Sequence, residues 1–508
     1  MTELSETFEL LEHAPLALGR PLALLDGQAY AAAWPFVRPA GTGMGDGGGP
    51  RVGPAPVAAA AARQTLWVVR DDGAAFGDGA GQPLSALDLS VRFGDRPPTD
   101  RLWSTAGLQA FRQGARPHPA EVFERMRAVV DRFIDFDRSL APQRTMTEFV
   151  AVYALSTWLL EAFGVVGFLW PSGDRGSGKT NLLHVVTQLS YLGTVLTAGG
   201  SFASLRDLAD WGATLAFDDA EQLAEGGKGD PDMRALLLAG NRRGAVVTLK
   251  EPAPGGKGWQ TRYVNAFCPR LFSAIQLPDP VLASRAVVVP LVRTADRARA
   301  NADPLDFGTW PTPRQALVDD LWALALGHLA ALPAFDTAAV ARARLSGRPL
   351  QPWRAVLGVG LWLEQYGVAG LHGRLEQLAL AYQAERPELE ADDLTTLVVR
   401  VLMYQYQQYA NRSMLPGPLE ECDVNMGEIL PMVQALYSPT GRGNQRVSVQ
   451  RVGLVLGKLR VGRRRMNGNG ARLWVVRRED VIRWAKSYAV LAGAREEEDG
   501  DDETEGDE

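Results

Sequence analysis

Residues 166–180 read Val-Gly-Phe-Leu-Trp-Pro-Ser-Gly-Asp-Arg-Gly-Ser-Gly-Lys-Thr, an apolar run that ends in a glycine-rich loop, a lysine and a threonine. Glycines let consecutive backbone N–H groups turn inward around nucleotide phosphates, a lysine neutralises the phosphates, and a hydroxyl group holds Mg²⁺. The pattern predicts a phosphate-binding loop between a buried strand at 165–170 and a helix at 181–192, whose N-terminus favours anions. The loop residues are Gly173, Asp174, Arg175, Gly176, Ser177, Gly178, Lys179 and Thr180.

A second acidic motif follows, with the sequence Ala213-Thr-Leu-Ala-Phe-Asp-Asp-Ala-Glu. A carboxylate at the carboxyl end of an apolar strand can hold Mg²⁺ through water, and a neighbouring acid can polarise the attacking water. We assign Asp218, together with Thr180, to the metal. Asp219 is assigned to the water, with Glu221 as the alternative base. ATP and Mg²⁺ are therefore the expected ligands, and ATP hydrolysis is the expected reaction.

Length and composition limit the number of domains and the classes of protein to which the chain can belong. The chain has 508 residues, of which 46% are apolar, enough for about two to four domains. Its two cysteines and five histidines offer no spacing for a disulfide framework or a zinc cluster, which indicates a reducing, cytoplasmic setting. The first residues lack the regions of a signal peptide.

Residues 149–170 are apolar enough to resemble a membrane span, but we expect a buried helix at 145–163 and then the strand that leads into the glycine-rich loop.

The region between the acidic motif and residue 295 predicts a long β-hairpin and two further strands. Residues 244–250 and 259–267 flank a Pro/Gly-rich tip that contains Lys257. Lys250 and Lys257 are candidate DNA contacts, and Trp259 is expected to brace the stem of the hairpin rather than to stack on a base. A buried strand at 270–276 follows, then Leu-Pro-Asp, Ser284-Arg285 and a strand at 286–291.

The C-terminal segment is strongly basic, because residues 442–486 contain thirteen Lys and Arg against two acids. A recognition helix at 448–459, a two-stranded wing at 462–476 and a final helix at 479–488 predict a winged helix, whose basic face suits DNA phosphates. Residues 496–508 carry ten acids and predict a disordered tail. The candidate DNA contacts of the winged helix are Arg451, Lys458, Arg463, Arg464, Arg465 and Arg472.

Five stretches together resemble a known family. They are GDRGSGKT, LAFDDAE, LLLAGNRRG, LFSAIQLPDPVLASR and GRPLQPWRAVLGV. They look like phage-, plasmid- and island-associated AAA+ ATPases related to superfamily III and MCM-like replicative helicases, and the resemblance covers about residues 100–490. It implies a hexameric, DNA-dependent motor in which the hairpin projects into the pore of the ring.

The same resemblance implies roles for single residues. Arg285 matches the arginine that reaches the γ-phosphate of a neighbouring subunit, and Arg348 matches the second-sensor arginine of the helical lid. Gln276 stands where such helicases carry a polar first sensor, with Ser273 as the competing residue. The N-terminal third shows no primase metal constellation, which departs from primase-helicase fusions.

The sequence thus predicts an α/β AAA+ P-loop ATPase core with a helical lid, a C-terminal winged helix and a small N-terminal domain. The expected boundaries are 1–100 for the N-terminal domain with its Ala/Gly/Pro-rich linker at 39–63, 101–144 for a helical linker, 145–295 for the core, 296–410 for the lid, 411–490 for the winged helix and 491–508 for the acidic tail.

Two functions stay open at the level of sequence. The first is a helicase-like, ring-forming DNA motor in mobile-element replication or defence, which the resemblance implies to be hexameric. The second is a nucleotide-dependent switch or scaffold on DNA that recruits a nuclease, transposase or primase without unwinding. Both require DNA, single- or double-stranded, and a homo-oligomer, and neither requires a membrane.

Overall fold

The computed structural model describes two compact units, Met1–Ala384 and Glu385–Glu508. The described residues are 16–38, 62–87, 89–92, 97, 99–196, 202–220, 236–253, 256–275, 278, 280–389, 394–412, 417–436, 447–465 and 472–488. The predicted acidic tail and most of the predicted Ala/Gly/Pro-rich linker lie outside these residues.

The N-terminal residues form strands that share the core of the first unit. The strands are β1 (Leu16–Leu18), β2 (Leu22–Leu25), β3 (Gln28–Ala33), β4 (Phe36–Val37), β5 (Arg63–Gln64), β6 (Trp67–Arg70), β7 (Ala75–Phe76) and β8 (Leu89–Val91). An antiparallel sheet has the order β2-β3-β6-β7, and its β6–β7 pair is a short hairpin. Ala31 and Val69 belong to the same hydrophobic cluster as Leu169 of the central sheet. The expected separate domain at 1–100 is therefore wrong, because one face of this sheet is part of the main core.

Three helices connect the N-terminal strands to the central sheet. They are α1 (Thr105–Arg112), α2 (Pro119–Phe133) and α3 (Gln143–Trp158). Nearly every residue of α3 is buried, which explains why its sequence is apolar on all sides and imitates a membrane span. The buried helix expected at 145–163 is present, and a short 3₁₀ turn at Leu160–Ala162 ends it.

A five-stranded parallel sheet forms the centre of the first unit. The elements in chain order are β9 (Phe168–Ser172), α4 (Lys179–Leu189), β10 (Thr194–Leu196), α5 (Phe202–Asp210), β11 (Leu215–Phe217), β12 (Val246–Pro252), β13 (Trp259–Asn265), β14 (Arg270–Phe272), α6 (Pro280–Ala283) and β15 (Ala286–Pro290). The strand order is β10-β11-β14-β9-β15, and every neighbouring pair is parallel. Strands covered on both faces read as continuous apolar runs, as β9 does. The fold is thus mixed α/β with a parallel sheet, as expected.

The strands β12 and β13 form the long hairpin that the sequence predicts. Seven residue pairs join them, from Val246 with Asn265 to Pro252 with Trp259. One face of the hairpin is attached to α5, where Arg262 forms ion pairs with Asp207 and Asp210 at 3.2 and 3.5 Å.

Helices make up most of the remaining described residues of the first unit, and the last of them continues past the unit boundary at Ala384. They are α7 (Arg297–Ala300), α8 (Arg314–His328), α9 (Leu332–Arg342), α10 (Arg354–Glu364) and α11 (Leu371–Leu389). Within the described residues, one helical stretch, Arg314–Arg342, is long and apolar enough to cross a membrane by length and composition. Leu321 and Trp322 of this stretch are fully buried in the main hydrophobic cluster.

In its described residues, the second unit combines four helices and a small antiparallel sheet. Its elements are α12 (Leu394–Arg412), β16 (Glu421–Asn425), α13 (Met426–Leu436), α14 (Val449–Lys458), β17 (Gly462–Arg465), β18 (Arg472–Arg477) and α15 (Arg478–Tyr488). The sheet order is β16-β18-β17. The expected recognition helix, wing strands and final helix correspond to α14, β17 with β18, and α15. The turn of the wing, at 466–471, lies outside the described residues.

The boundary between the two units differs from the expected one. The sequence places residues 296–410 in a lid, but α12 belongs to the second unit. Val398 and Leu402 of α12 are fully buried in one cluster with Val424 and Trp474 of the small sheet. The apolar face of α12 is needed to complete this core, and sequence periodicity cannot show which neighbour a helix covers.

The close approach of α10 to the start of β9 gives a stability prediction. A Cβ atom at Gly167 would lie 2.1 Å from the backbone oxygen of Pro352, which precedes α10. Gly167→Ala must therefore displace backbone, and we expect a loss of about 1–3 kcal/mol in the free energy of unfolding, measured by chemical denaturation.

Gly373→Ala on α11 is the matched control. A Cβ atom there meets nothing within 4 Å, so the alanine should leave stability unchanged or raise it by about 0.5–1 kcal/mol through helix propensity. Wild-type stability of Gly167→Ala would show that the segment before α10 does not pack against β9.

Candidate nucleotide site

The glycine-rich loop joins β9 to α4, at the carboxyl end of β9, as the sequence predicts. Gly173, Gly176 and Gly178 have φ angles of 156°, 78° and 91°, a range that residues with a Cβ atom rarely adopt. A Cβ atom at Gly173 would also lie 2.2 Å from the backbone oxygen of Leu291. The glycines therefore give the loop its conformation.

Lys179 begins α4, and its ammonium group lies against the loop. Its Nζ atom donates hydrogen bonds to the backbone oxygens of Gly173 at 2.6 Å and Asp174 at 3.0 Å. The positive charge is thus placed beside the N-terminus of a helix, where the backbone dipole also favours an anion.

Asp218 follows β11 and is joined to two hydroxyl groups. Thr180 Oγ1 donates to Asp218 Oδ2 at 3.2 Å, and Ser273 Oγ donates to Asp218 Oδ1. The structure therefore brings together Thr180 and Asp218, the two candidate metal ligands. Among the residues that the structure describes, no group of three or more His, Cys, Asp or Glu could hold a metal ion. Hydroxyl and carboxylate oxygens at this position fit Mg²⁺, which keeps several waters and binds through one or two carboxylates plus substrate phosphates.

Asp219 is exposed beside Asp218 and has an unusual backbone conformation. Its φ angle is 54°, which is uncommon for a residue other than glycine, and its backbone N–H donates to Asp218 Oδ1 at 3.2 Å. The alternative base, Glu221, lies outside the described residues. The choice between these two acids therefore stays a prediction.

Ser273 is the polar residue that the structure places next to Asp218. It follows β14, the strand between β9 and β11, and it is fully buried. Its backbone N–H donates to the Phe217 oxygen at 2.9 Å, and its backbone oxygen accepts the Ala220 N–H at 2.8 Å. Gln276, the other candidate first sensor, lies outside the described residues.

Arg285 lies at the amino end of β15, whereas the loop of the same chain lies at the carboxyl ends of the strands. The β15–β9 register pairs Ala286 with Phe168 and Pro290 with Ser172, and the loop begins directly after Ser172. At about 3.3 Å per residue, Arg285 is about 16 Å along the strand from this edge. The structure therefore does not bring Arg285 to the loop of its own chain.

Arg348 is exposed in the turn before α10 and is not brought to the loop. Pro352 of the same turn packs against Gly167, at the amino end of β9. No described contact connects Arg348 with the residues at 173–180, so its second-sensor role has no support in this subunit.

A cation that sequence reasoning missed lies on the loop. Arg293 follows β15, and its Nε atom donates to the backbone oxygen of Arg175 at 2.8 Å. No motif marks this arginine, because its position depends on the pairing of β15 with β9.

The hairpin exposes two aromatic rings and a lysine on one face. Directly paired and alternate residues share a face, which places Trp259, Thr261, Tyr263 and Lys250 together. The side chains of Trp259 and Tyr263 are both 70% exposed, and Lys250 Nζ donates to Thr261 Oγ1 at 2.9 Å. The expectation that Trp259 braces the stem is therefore wrong. Lys257 is exposed at the tip, between Gly256 and Gly258.

Two of the candidate DNA contacts in the second unit have described side chains. Arg451 is exposed in the first turn of α14, and the guanidinium of Arg463 lies over the ring of Trp474 at 4.4 Å from its centroid. Four others are placed only by their backbone, with side chains outside the described part of the chain. These are Lys458, Arg464, Arg465 and Arg472.

Comparisons with known proteins give only distant similarities. No protein-family model matches the chain, and no curated protein matches it. Among solved structures it is similar to a JCV helicase with a bound small molecule, at 14% identity and a TM-score of 0.22, over 52% of this chain and 66% of that chain. It is also similar to Drosophila ORC bound to DNA, at 11% identity and a TM-score of 0.16, over 74% of this chain and 93% of that chain. The chain thus spans just under two thirds of the helicase chain, and at these TM-scores the likeness establishes no function.

Proposed function

We propose that this chain is an AAA+ ATPase that binds ATP with Mg²⁺ at residues 173–180 and couples hydrolysis to movement on DNA. The observation that supports the proposal is the convergence of Lys179, Thr180, Asp218 and Ser273 at one edge of the parallel sheet. In open α/β sheets, ligands bind outside the carboxyl ends of the strands. The hexameric ring and the mobile-element setting rest on the sequence resemblance alone.

Each residue has a separate task in this proposal. Lys179 and the loop N–H groups bind the β- and γ-phosphates, while Thr180 and Asp218 hold Mg²⁺, which would neutralise charge that develops on the phosphates. Ser273 donates to Asp218 and so fixes the orientation of its carboxylate. Asp219 or Glu221 orients the attacking water.

The division of tasks predicts different defects in two variants. Lys179→Ala removes the charge that neutralises the phosphates, so ATP affinity should fall by about 10- to 100-fold or more. Asp219→Asn should keep wild-type affinity and lose turnover. Binding is measured by calorimetry and hydrolysis by phosphate release.

The matched control is Lys250→Ala, which removes the same charge from the hairpin and should leave nucleotide affinity unchanged. If Asp219→Asn hydrolyses ATP normally and Glu221→Gln does not, the base is Glu221. Unchanged ATP affinity in Lys179→Ala would contradict the proposed nucleotide site itself.

In this proposal, ATP hydrolysis in one subunit requires Arg285 from a neighbouring subunit. The place of Arg285 at the amino end of β15, away from the loop of its own chain, supports the proposal that it completes the site of a neighbour in a ring or stack of subunits. We expect Arg285→Ala to bind nucleotide almost normally and to hydrolyse ATP about 10³-fold more slowly.

Mixing the Arg285→Ala and Lys179→Ala variants tests whether two subunits build one nucleotide site. Arg285→Ala subunits retain Lys179, and Lys179→Ala subunits retain Arg285, so a mixture contains some complete sites and should regain part of the activity. Titration of one variant into the other measures the recovery. A flat titration at every ratio would exclude a site built from two subunits.

The exposed face of the hairpin supports nucleic-acid binding. Trp259 and Tyr263 are separated by one residue of the same face, Thr261, whose hydroxyl holds the ammonium of Lys250 between them. Aromatic rings alternating with a cation can stack on bases and contact phosphates, without sequence preference. We propose that this face and Lys257 contact a DNA strand.

Two hairpin variants test this contact. Trp259→Ala and Tyr263→Ala should each weaken single-stranded DNA binding by about 1–3 kcal/mol, measured by fluorescence anisotropy. Phe36→Ala is the control, because Phe36 is 65% exposed at a site with no proposed role. Equal DNA affinity in all three variants would overturn the proposal.

The Lys257→Ala variant distinguishes a DNA motor from a nucleotide-dependent switch or scaffold. In a motor, the variant should keep basal ATP hydrolysis and oligomerisation while losing DNA stimulation and strand displacement. A wild-type chain whose ATPase responds to DNA but never displaces a strand would instead be the nucleotide-dependent scaffold.

A further inference from the structure

The segment after β15 runs along the phosphate loop and holds an arginine against it. Leu291 N–H donates to the Ser172 oxygen at 2.7 Å, and the Leu291 oxygen lies against Gly173. Arg293 Nε then donates to the Arg175 oxygen at 2.8 Å. A Cβ atom at Gly176 would be 3.6 Å from the same Nε atom, so the guanidinium lies beside the loop backbone.

Hydrogen bonds also hold the residues that follow Arg293. Thr294 Oγ1 donates to Asp135 Oδ2, and the N–H of Asp296 donates to Thr294 Oγ1 at 3.0 Å. Burial raises the pKa of Asp135, but hydrogen bonds from Thr294 and from the Asp137 N–H, together with the charge of Arg299, lower it below its ordinary value. Asp135 is therefore a stable, ionised anchor for this segment.

Arg293 carries a charge that no acid in the described part of the chain neutralises. Its Nε bond is its one described hydrogen bond, and no described carboxylate lies within ion-pair distance. Arg299, on the same segment, differs, because it pairs with Asp131, Asp135 and Asp296. A fixed, exposed guanidinium with its terminal N–H groups available is suited to an anion.

We propose that Arg293 is a second cation of the phosphate loop, which contacts the phosphates of a bound nucleoside triphosphate in its own subunit. The inference rests on the proposed nucleotide site. The Nε atom holds the loop through Arg175, while the terminal nitrogens donate to phosphate oxygens. Lys179 and Arg293 then bind the phosphates from α4 and from the end of β15.

Substitution at Arg293 tests the proposal. Arg293→Ala should weaken MgATP and MgADP binding by about 10- to 100-fold, as loss of hydrogen bonds from a charged group does. Arg293→Lys keeps the charge and should recover part of this affinity. Calorimetric titration of each nucleotide into the full chain measures both effects.

Arg297→Ala is the matched control, because Arg297 is exposed on the same segment and its loss changes the net charge equally. It should bind nucleotide normally, and all three variants should keep the wild-type thermal midpoint. Equal weakening in Arg293→Ala and Arg293→Lys would overturn the phosphate contact and leave only a loop-positioning role.

The outcomes distinguish this inference from the proposed function. Wild-type nucleotide affinity of Arg293→Ala, with loss of binding in Lys179→Ala, would refute the inference alone. Wild-type affinity in both variants would refute the nucleotide site as well.

Discussion

The parallel pairing of β9 between β14 and β15 is the constraint on which the candidate site depends. Parallel strands end at one edge, so the loop after β9, Ser273 after β14 and Arg293 after β15 meet there, with Asp218 after the next strand, β11. Apolar burial on both faces stabilises β9, and the stacked rings of Phe217 and Phe272, 5.2 Å apart, join the neighbouring strands β11 and β14. Displacing one strand would therefore separate the polar groups of the site.

The two edges of the same sheet carry different chemistry. The carboxyl ends of the strands carry the glycine-rich loop and the candidate oxygen ligands, and the amino end of β15 carries Arg285. Within one chain these two ends lie about 16 Å apart along the strand, so Arg285 and the loop do not meet in the same subunit.

Buried polar contacts attach the hairpin to the core. Arg20 is 6% exposed and donates to the Glu161 carboxylate at 2.7 Å, to the Asp210 oxygen at 3.0 Å and to the Phe267 oxygen at 2.7 Å. It thus joins the N-terminal strands, α5 and the end of the hairpin. Removing one partner of such a buried ion pair is costly, so the base of the hairpin is held rigidly while its aromatic face stays exposed.

The sequence by itself determined the elements whose signals are local. The loop at 173–180, the hairpin of β12 and β13, and the helix and strands of the basic C-terminal segment were predicted within a few residues, because glycine spacing, turn residues and hydrophobic period act over short distances. Asp218 and Thr180 were each assigned from a local motif, and the structure places their side chains 3.2 Å apart. Only the tertiary structure decided that Ser273 contacts Asp218, that Arg293 lies on the loop, that the N-terminal strands share the main core and that α12 belongs to the second unit. Each of these depends on pairing or burial between residues distant in the chain, which no local pattern encodes.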